Sequence, residues 1–574
     1  MNRLPKKPCA HFVRLAAFFH RIHLISKDLT MKRPFNCFAS LFIIFLLLIN
    51  ATTALVSPAA LYAQDDTYPP GTIQMTPKVD LNLETVALEV PEKFRAMVPE
   101  NLSLNLPSGF TVKVFAVDGL RGPRMMAFNQ EGVLHVANMK ANGSSEFQPS
   151  NNSTSEILAL PDWDNDGVAD TVIVAADALR WANSLTFYNG DMYVADTHQI
   201  VKFTDNDGDL IYESREVFAD NIPTASSPHI TRTIVADEAK ERFYLSVGSS
   251  CDVCREDDPE RATVLEFSAD GTERRVFATG LRNAIGLDVH PLSGDLWATN
   301  NGHTEVDNTM PPEWIDIVRD GGFYGWPLAF GYQVYIDFDF RGHWRVPPIT
   351  RDDSLLVQTM ERPAALIDAH SSPMGIHFYP ADNFPSEYHN AAFVAYRSGF
   401  RGPDPGHKVV AMFMDADGDN ARVGDFMTGF WPNPPDQSNI WGKPVGLTTD
   451  SDGSLYLSSD WINHLILKVE YNGEATSIED DESPELPLAT ALEQNYPNPF
   501  NPVTKIGYSL KESTSVTLEI FDALGRKVAT LVDGYQSAGR YQVDFNASKL
   551  SSGVYLYRLK AGDYTESKLL TLMK

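Results

Sequence analysis

Between residues 103 and 471 the chain repeats one pattern of apolar and polar positions. Each copy is a small-residue or Pro-containing turn, an apolar strand, a polar turn and a second, apolar-aromatic strand. The first strands read GPRMMAF, WANSLTF, HITRTIV, RNAIGLDV, SSPMGIHF and KPVGLTT, and their partners GVLHVAN, GDMYVAD, RFYLSVG, GDLWATN, AAFVAYR and GSLYLSS. Alternating β-branched and aromatic residues bounded by Gly, Pro, Asn and Asp predict paired strands. Six such pairs, about 45 to 90 residues apart, predict a six-bladed β-propeller, because a blade needs roughly 40 to 50 residues and the surplus falls into loops. The largest surplus lies between Gly321 and His370 and between Arg401 and Trp441, where long loops would overhang one mouth of the ring. An earlier run, GFTVKVFAV, is placed to complete the last blade and close the circle. A sandwich or solenoid is the competing arrangement, and the repeat favours the propeller.

The flanks differ in pattern. Residues 64–101 form a Pro-punctuated lead-in to the ring at 102–471, and 472–492, containing IEDDESPELPLATAL, is an acidic linker without strand periodicity. Residues 493–574 again alternate strand-like runs with Gly and Pro turns, which predicts a compact sandwich of about seven strands. The fold class is therefore all-β: a six-bladed β-propeller followed by a small C-terminal β-sandwich. At 43% apolar and 21% charged residues the chain can bury a core.

Residues 1–63 form a leader. Within it Met31 begins a better start than Met1, with Lys32 and Arg33 ahead of the apolar run Phe38 to Ile49 and small residues near Ala63. This is the pattern of a signal peptide, too short to span a bilayer, so export is expected and no transmembrane helix remains in the mature chain. Removing the leader takes away eight Lys/Arg and one Asp and leaves a formal charge of −35. Such a surface repels nucleic acid and anionic lipid. Cys251 and Cys254 are the only cysteines beyond the leader, and in an oxidising compartment they are expected to form a small loop disulfide. No His follows Cys254, which excludes haem attachment through C-x-x-C-H.

In a propeller the innermost strands begin near the central channel, so their starts converge. They supply Arg124, Asn183, His229 with Arg232, Arg282 with Asn283, Ser372 with Met374, and Lys443. Basic groups gathered at a desolvated axis call for an anionic ligand, or else for acidic neighbours that neutralise them one by one.

The segments SPHITRTIV, FYLSVGSSCDVC, GLRNAIGLDVHPLSGDLWATNNG, RDGGFYGWP, HSSPMGIHFY, AAFVAYRSGFRGPDPGHKVVAM and GKPVGLTTDSDGSLYLSSD together resemble the soluble quinoprotein glucose dehydrogenase and L-sorbosone dehydrogenase family over about residues 103 to 471. The resemblance implies pyrroloquinoline quinone (PQQ) and calcium as cofactors, a sugar substrate and an external electron acceptor. His229 matches the family's catalytic base, which takes the hydroxyl proton as hydride leaves for the quinone, and imidazole suits that task because its pKa lies near working pH. Arg282 and Asn283 match cofactor contacts, and Lys443 with Arg397 or Arg401 is similar to the remaining cationic ones. Arg124, Asn183 and Arg232 are added from ring geometry. Gly302 and His303 align with the segment whose main-chain carbonyls hold the calcium, an ion that prefers oxygen ligands. The tripeptide Ile230, Thr231, Arg232 after the histidine is closer to the sorbosone-type branch than to the glucose-oxidising one.

The loop DWDNDGVAD sets Asp162, Asp164, Asp166 and Asp170 in the early half of an EF-hand-like pattern, a candidate structural calcium site, although Ile173 stands where the closing Glu belongs. TDNDGDLIYE and DADGDNARVGD echo it more loosely, and an Asp/Gly-rich turn explains all three equally. The C-terminal NYPNPFNP and SSGVYLYRL closely resemble the type A sorting domain of the type IX secretion system, which implies transport to the outer-membrane surface or beyond. Two rival functions remain. A calcium-dependent lactonase-type hydrolase needs acidic metal ligands on the axis, and a non-catalytic carbohydrate-binding propeller needs no base there.

Overall fold

The computed structural model describes residues 70–139, 154–224, 229–304, 309–336, 349–398, 406–473 except 416 and 435, and most of 490–573. The leader and Arg401 lie outside the described residues.

Six sheets built on antiparallel strands follow one another along the chain, and in five of them the four principal strands lie side by side in chain order. Their innermost strands are Pro123–Phe128, Ser184–Tyr188, Ile234–Asp237, Ala284–Val289, Pro373–Phe378 and Pro444–Thr449, which we number as blades 1 to 6. Five blades take all four principal strands from consecutive sequence. The sixth is completed by Phe110–Ala116, which runs antiparallel to Leu465–Tyr471 with Val112 opposite Val469. GFTVKVFAV therefore closes the circle, as its pattern predicts.

Burial falls from the axis outward. The second strands Leu296–Asn300, Ala392–Tyr396 and Leu455–Ser459 are buried at every position because neighbouring blades cover both faces, whereas the outermost strand of blade 2, Ser214–Ala219, is largely exposed. The polar residues Thr299, Asn300, Ser458 and Ser459 of these second strands are buried too and hydrogen-bonded across strands and blades. Hairpin chemistry sets register in blade 2: Asn189 and Gly190 both have positive φ and form a two-residue turn that pairs Tyr188 with Asp191.

Close approach at the axis requires glycine. A Cβ on Gly286 would lie 2.2 Å from the Met374 carbonyl, one on Gly375 2.6 Å from that of Val445, and one on Gly446 2.4 Å from that of Arg124, each in the next blade. Hydroxyls stitch the same ring: Thr233 Oγ1 donates to the Ile285 carbonyl (2.5 Å), Thr299 Oγ1 to Met374 (2.8 Å) and Ser458 Oγ to Arg124 (2.7 Å).

The lead-in is more than a tether. Lys78–Val79 adds a parallel fifth strand to blade 5, Glu84–Ala87 pairs with Ser103–Leu106, and Phe94 is buried. The long excursion between the third and fourth strands of blade 4 carries a short helix, Arg351–Val357, whose capping box joins Thr350 and Asp353. The C-terminal region forms a three-stranded and a four-stranded sheet around a separate core that includes Ile506, Leu518, Tyr557 and Leu570. No helix among the described residues is long and apolar enough to cross a membrane.

Candidate active site

Two positions in each blade feed one mouth of the ring: residues just before an innermost strand, and residues just after the adjacent second strand, which antiparallel pairing returns to the same end. The first class holds Asn183, His229 with Arg232, Arg282 with Asn283, and Lys443; Arg124 sits at the start of its strand. The second holds Asn301, Arg397 and Asp460.

These groups form a connected network. Arg124 Nε donates to Asn183 Oδ1 (2.9 Å) and its Nη1 to Asp460 Oδ2 (2.5 Å), while Arg397 Nε donates to both Asp460 oxygens (2.9 and 3.0 Å). Asn183 Nδ2 continues to Thr233 Oγ1 in blade 3 (3.2 Å). One carboxylate thus joins blades 1, 5 and 6. Burial alone would raise its pKa, but Arg397 and Arg124 hold Asp460 below the usual carboxylate range. Lys443 is buried with Nζ 5.2 Å from the Trp461 ring centre, and His407 lies close enough to Lys443 and Arg397 to feel both charges.

On the other side, Arg282 donates from Nη2 to Asp252 Oδ1 (2.6 Å), from Nε to the Asp252 carbonyl (3.0 Å) and from Nη1 to the Asn301 carbonyl (3.2 Å). The expectation that the axial cations await an anion is therefore corrected in part. Asp252 and Asp460, which the strand-start reading passed over, neutralise some of the charge. Arg124, Arg282, Arg397 and Lys443 gather there against these two carboxylates and the buried Glu313, whose charge Arg282 also feels. Arg232 is fully buried, and two of its nitrogens donate to the carbonyls of His229 (3.1 Å), Thr231 (2.8 Å) and Pro223 (2.5 Å). It braces the chain that carries the histidine. Ser372 takes a positive φ and its carbonyl accepts from Arg397 N (3.1 Å), so it shapes the wall; Met374 is buried in the core.

The tautomer of His229 follows from its partners. Ser249 Oγ donates its one proton to the Cys251 carbonyl (2.7 Å) and so accepts from His229 Nδ1 (2.9 Å); the Ser249 carbonyl, 3.0 Å from Nδ1, is a second acceptor. The proton therefore resides on Nδ1 and the lone pair on Nε2. Burial, reinforced by Arg282, lowers the imidazole pKa to about 3, which corrects the expectation of a pKa near working pH; the ring is neutral, as a proton acceptor must be, but a weaker base than a free imidazole. Gly248 is the floor under this arrangement, because a Cβ there would lie 2.6 Å from His229 Cβ and 2.7 Å from Asn283 Oδ1. Gly248→Ala is expected to displace both side chains and lower kcat/KM by about 100-fold. A steady-state assay of the variant checks this; wild-type rates would show that the contact is not needed.

Beside them, Gly302 N donates to the wholly buried carboxylate of Glu313, which also receives the main-chain N–H groups of Ser372 and His370. Burial pushes Glu313 up to about 7. The His303 ring is buried edge-on to Phe330 at 5.5 Å. Cys251 and Cys254 are joined by a disulfide next to this segment. Away from the mouth, the carboxylates of Asp162, Asp164 and Asp166 lie within 4.8 Å of one another, as do those of Asp205, Asp207, Asp209 and Glu213. Asp170 turns back to accept from Trp163 N (2.7 Å).

A ring of six antiparallel blades with cationic side chains at one mouth defines the class as a six-bladed β-propeller. Within it the chain belongs to the TrAA12-like family, whose model matches residues 104–469. Residues 494–572 match the secretion system C-terminal sorting domain, so the chain is exported, to the cell surface or beyond. It is similar to a pyrroloquinoline quinone-dependent sugar dehydrogenase of Hypocrea jecorina, 20% identical over 398 residues covering 60% of this chain and 84% of the relative. Among solved structures it is similar to the calcium structure of Trichoderma reesei family AA12, at 19% identity, TM-score 0.50 and coverage of 64% of this chain and 96% of that one. The holo form of the pyranose dehydrogenase PQQ domain from Coprinopsis cinerea gives 18% identity, TM-score 0.50 and coverage of 66% and 98%. These structural likenesses establish the fold.

Proposed function

We propose that this chain is an exported PQQ- and calcium-dependent dehydrogenase that oxidises a sugar or sugar aldehyde of the sorbosone or aldose type, with His229 as general base. The observation that carries the reading is the cationic network at the same mouth as an imidazole locked with its basic nitrogen at Nε2.

The donor set fits the quinone. PQQ is a flat tricarboxylate, and guanidiniums, a lysine and amides are its natural partners. Arg282 commits three of its five N–H groups to Asp252 and Asn301, which leaves two for a carboxylate. Arg124, Arg397, Lys443, Asn183 and Asn283 complete the holding set, with Arg401 a further candidate by resemblance. Gly302 N donates to Glu313, which fixes the Asn301–Gly302 peptide just ahead of the Gly302 and His303 carbonyls, the calcium ligands by resemblance. When bound, the quinone with its calcium supplies the hydride acceptor.

The protein's own part is to hold and move a proton. His229 Nε2 accepts the proton of the substrate hydroxyl, or of the hydrate of an aldehyde. Ser249, held by the Cys251 carbonyl, keeps the ring from rotating, and its Oγ and carbonyl, accepting from Nδ1–H, stabilise the imidazolium that forms. A calcium-dependent lactonase is the less favoured reading, because the axial carboxylates Asp252 and Asp460 are committed to arginines and do not form a metal cage.

Reconstitution tests the assignment. Purified protein mixed with PQQ and calcium is expected to change the quinone absorbance and to reduce a dye with at least one aldose, uronic sugar or sugar aldehyde. A calcium chelator should remove the activity, and added calcium should restore it. A protein that leaves the quinone spectrum unchanged is not this enzyme.

A further inference from the structure

The tetrapeptide ring closed by the disulfide, Cys251–Asp252–Val253–Cys254, has more connections to the mouth than a surface loop needs. The Asp252 carboxylate lies between two elements that come from different places in the chain. Its Oδ1 accepts from Arg282 Nη2 (2.6 Å) and from Thr304 N (3.0 Å), and its Oδ2 from Thr304 Oγ1 (2.7 Å). Its carbonyl accepts from Arg282 Nε (3.0 Å) and Trp326 Nε1 (3.0 Å). The residue before it supplies the carbonyl that fixes Ser249 and, through it, the tautomer of His229.

We propose that Asp252, framed by the Cys251–Cys254 ring, is a positioning residue that ties the cofactor-binding Arg282 to the Gly302–Thr304 segment so that the two halves of the cofactor site are held at one spacing. The proposal rests on the functional reading above and adds a residue that does not itself touch quinone or metal. The arginine cannot reach Asp252 in another orientation without losing the paired contact through Nε and Nη2. Thr304, in turn, is bonded to the same carboxylate twice, by its main-chain N–H and by its hydroxyl. An aspartate held by two neighbours in this way sets their relative position, and four-residue closure by the disulfide removes the backbone freedom that would let the carboxylate follow one neighbour away from the other.

The test is calorimetric titration of PQQ, with calcium saturating, into the full-length protein and its Asp252→Asn, Thr304→Val, Arg282→Gln and Asp252→Asn/Arg282→Gln variants, alongside thermal melting and calcium titration at fixed PQQ. Asp252→Asn is expected to weaken quinone binding by about 10- to 100-fold, in the range found for groups that orient ligands, and to raise the calcium concentration for half-saturation. Thr304→Val, which keeps the main-chain contact, should move the calcium requirement in the same direction by less. In the Arg282→Gln background the Asp252 change should cost little more, because the two act through one contact. A purely structural role predicts the opposite: additive losses, or a lowered melting temperature with unchanged affinities in the folded fraction. Either result overturns the proposal. Failure of the wild type to take up PQQ would instead bring down the functional reading and this inference with it, whereas uptake by the wild type and an unaffected Asp252→Asn variant would overturn this inference alone.

Discussion

Replacing His229 with alanine is expected to lower kcat/KM for sugar oxidation by about 100- to 10,000-fold, the range for removing a positioned general base. Melting temperature and quinone affinity, measured alongside, separate loss of the base from loss of the fold or of the cofactor. A dye-coupled assay with saturating PQQ and calcium reads the loss, and unchanged turnover would remove His229 from the chemistry. The pH dependence carries a second signature. The folded pKa of about 3 lies below the ordinary 6.5, so the unfolded chain binds more protons between those values. This residue's contribution to stability is therefore greatest above pH 6.5 and falls as the solution is acidified toward 3. An NMR titration of the cofactor-free protein should find the His229 ring neutral at pH 5; a midpoint near 6.5 would contradict the buried, arginine-flanked environment.

The second large effect concerns Asp460. Asp460→Ala leaves Arg124 and Arg397 as neighbouring buried cations with no shared counter-charge, which is expected to cost about 3 to 5 kcal/mol. The propeller's thermal transition should drop accordingly and quinone binding should weaken with it. Adding Arg124→Gln to Asp460→Ala should recover part of the lost stability, because one of the two cations that shared Asp460 is gone. A single variant that melts with the wild type would show that the network carries no net stabilisation.

Much of the fold was legible because blades repeat. Period, strand pairs, the closing strand and the C-terminal sandwich all leave local patterns, and the Asn189–Gly190 turn is a direct register signal. The site was legible only in half. Innermost-strand starts gave His229, Arg282, Asn283, Lys443, Asn183 and Arg124, but the same ring geometry sends the second-strand ends to the same mouth. Reading those ends, which run into Arg397 and Asp460 directly after AFVAY and LYLSS, would have found the shared counter-charge. Asp252 and Glu313 left no comparable mark. Asp252 lies inside the predicted disulfide ring, but its partners Arg282 and Thr304 stand 30 and 52 positions on, and Glu313 receives N–H groups of Ser372 and His370 from the next blade, so neither relation is local in sequence. His407 is likewise placed by tertiary packing alone.

The pairing of Phe110–Ala116 with Leu465–Tyr471 bears on how the molecule comes into being. Partners such as Phe110 and Tyr471 stand about 360 positions apart, and joining the ends of so long a loop costs about 5 kcal/mol of chain entropy. Until Leu465–Tyr471 is made, Phe110–Ala116 presents an unpaired edge that invites pairing with other chains. A product cut short before residue 465 lacks the partner of Phe110–Ala116, and with it the seam that joins the beginning of the ring to the blade carrying Asp460.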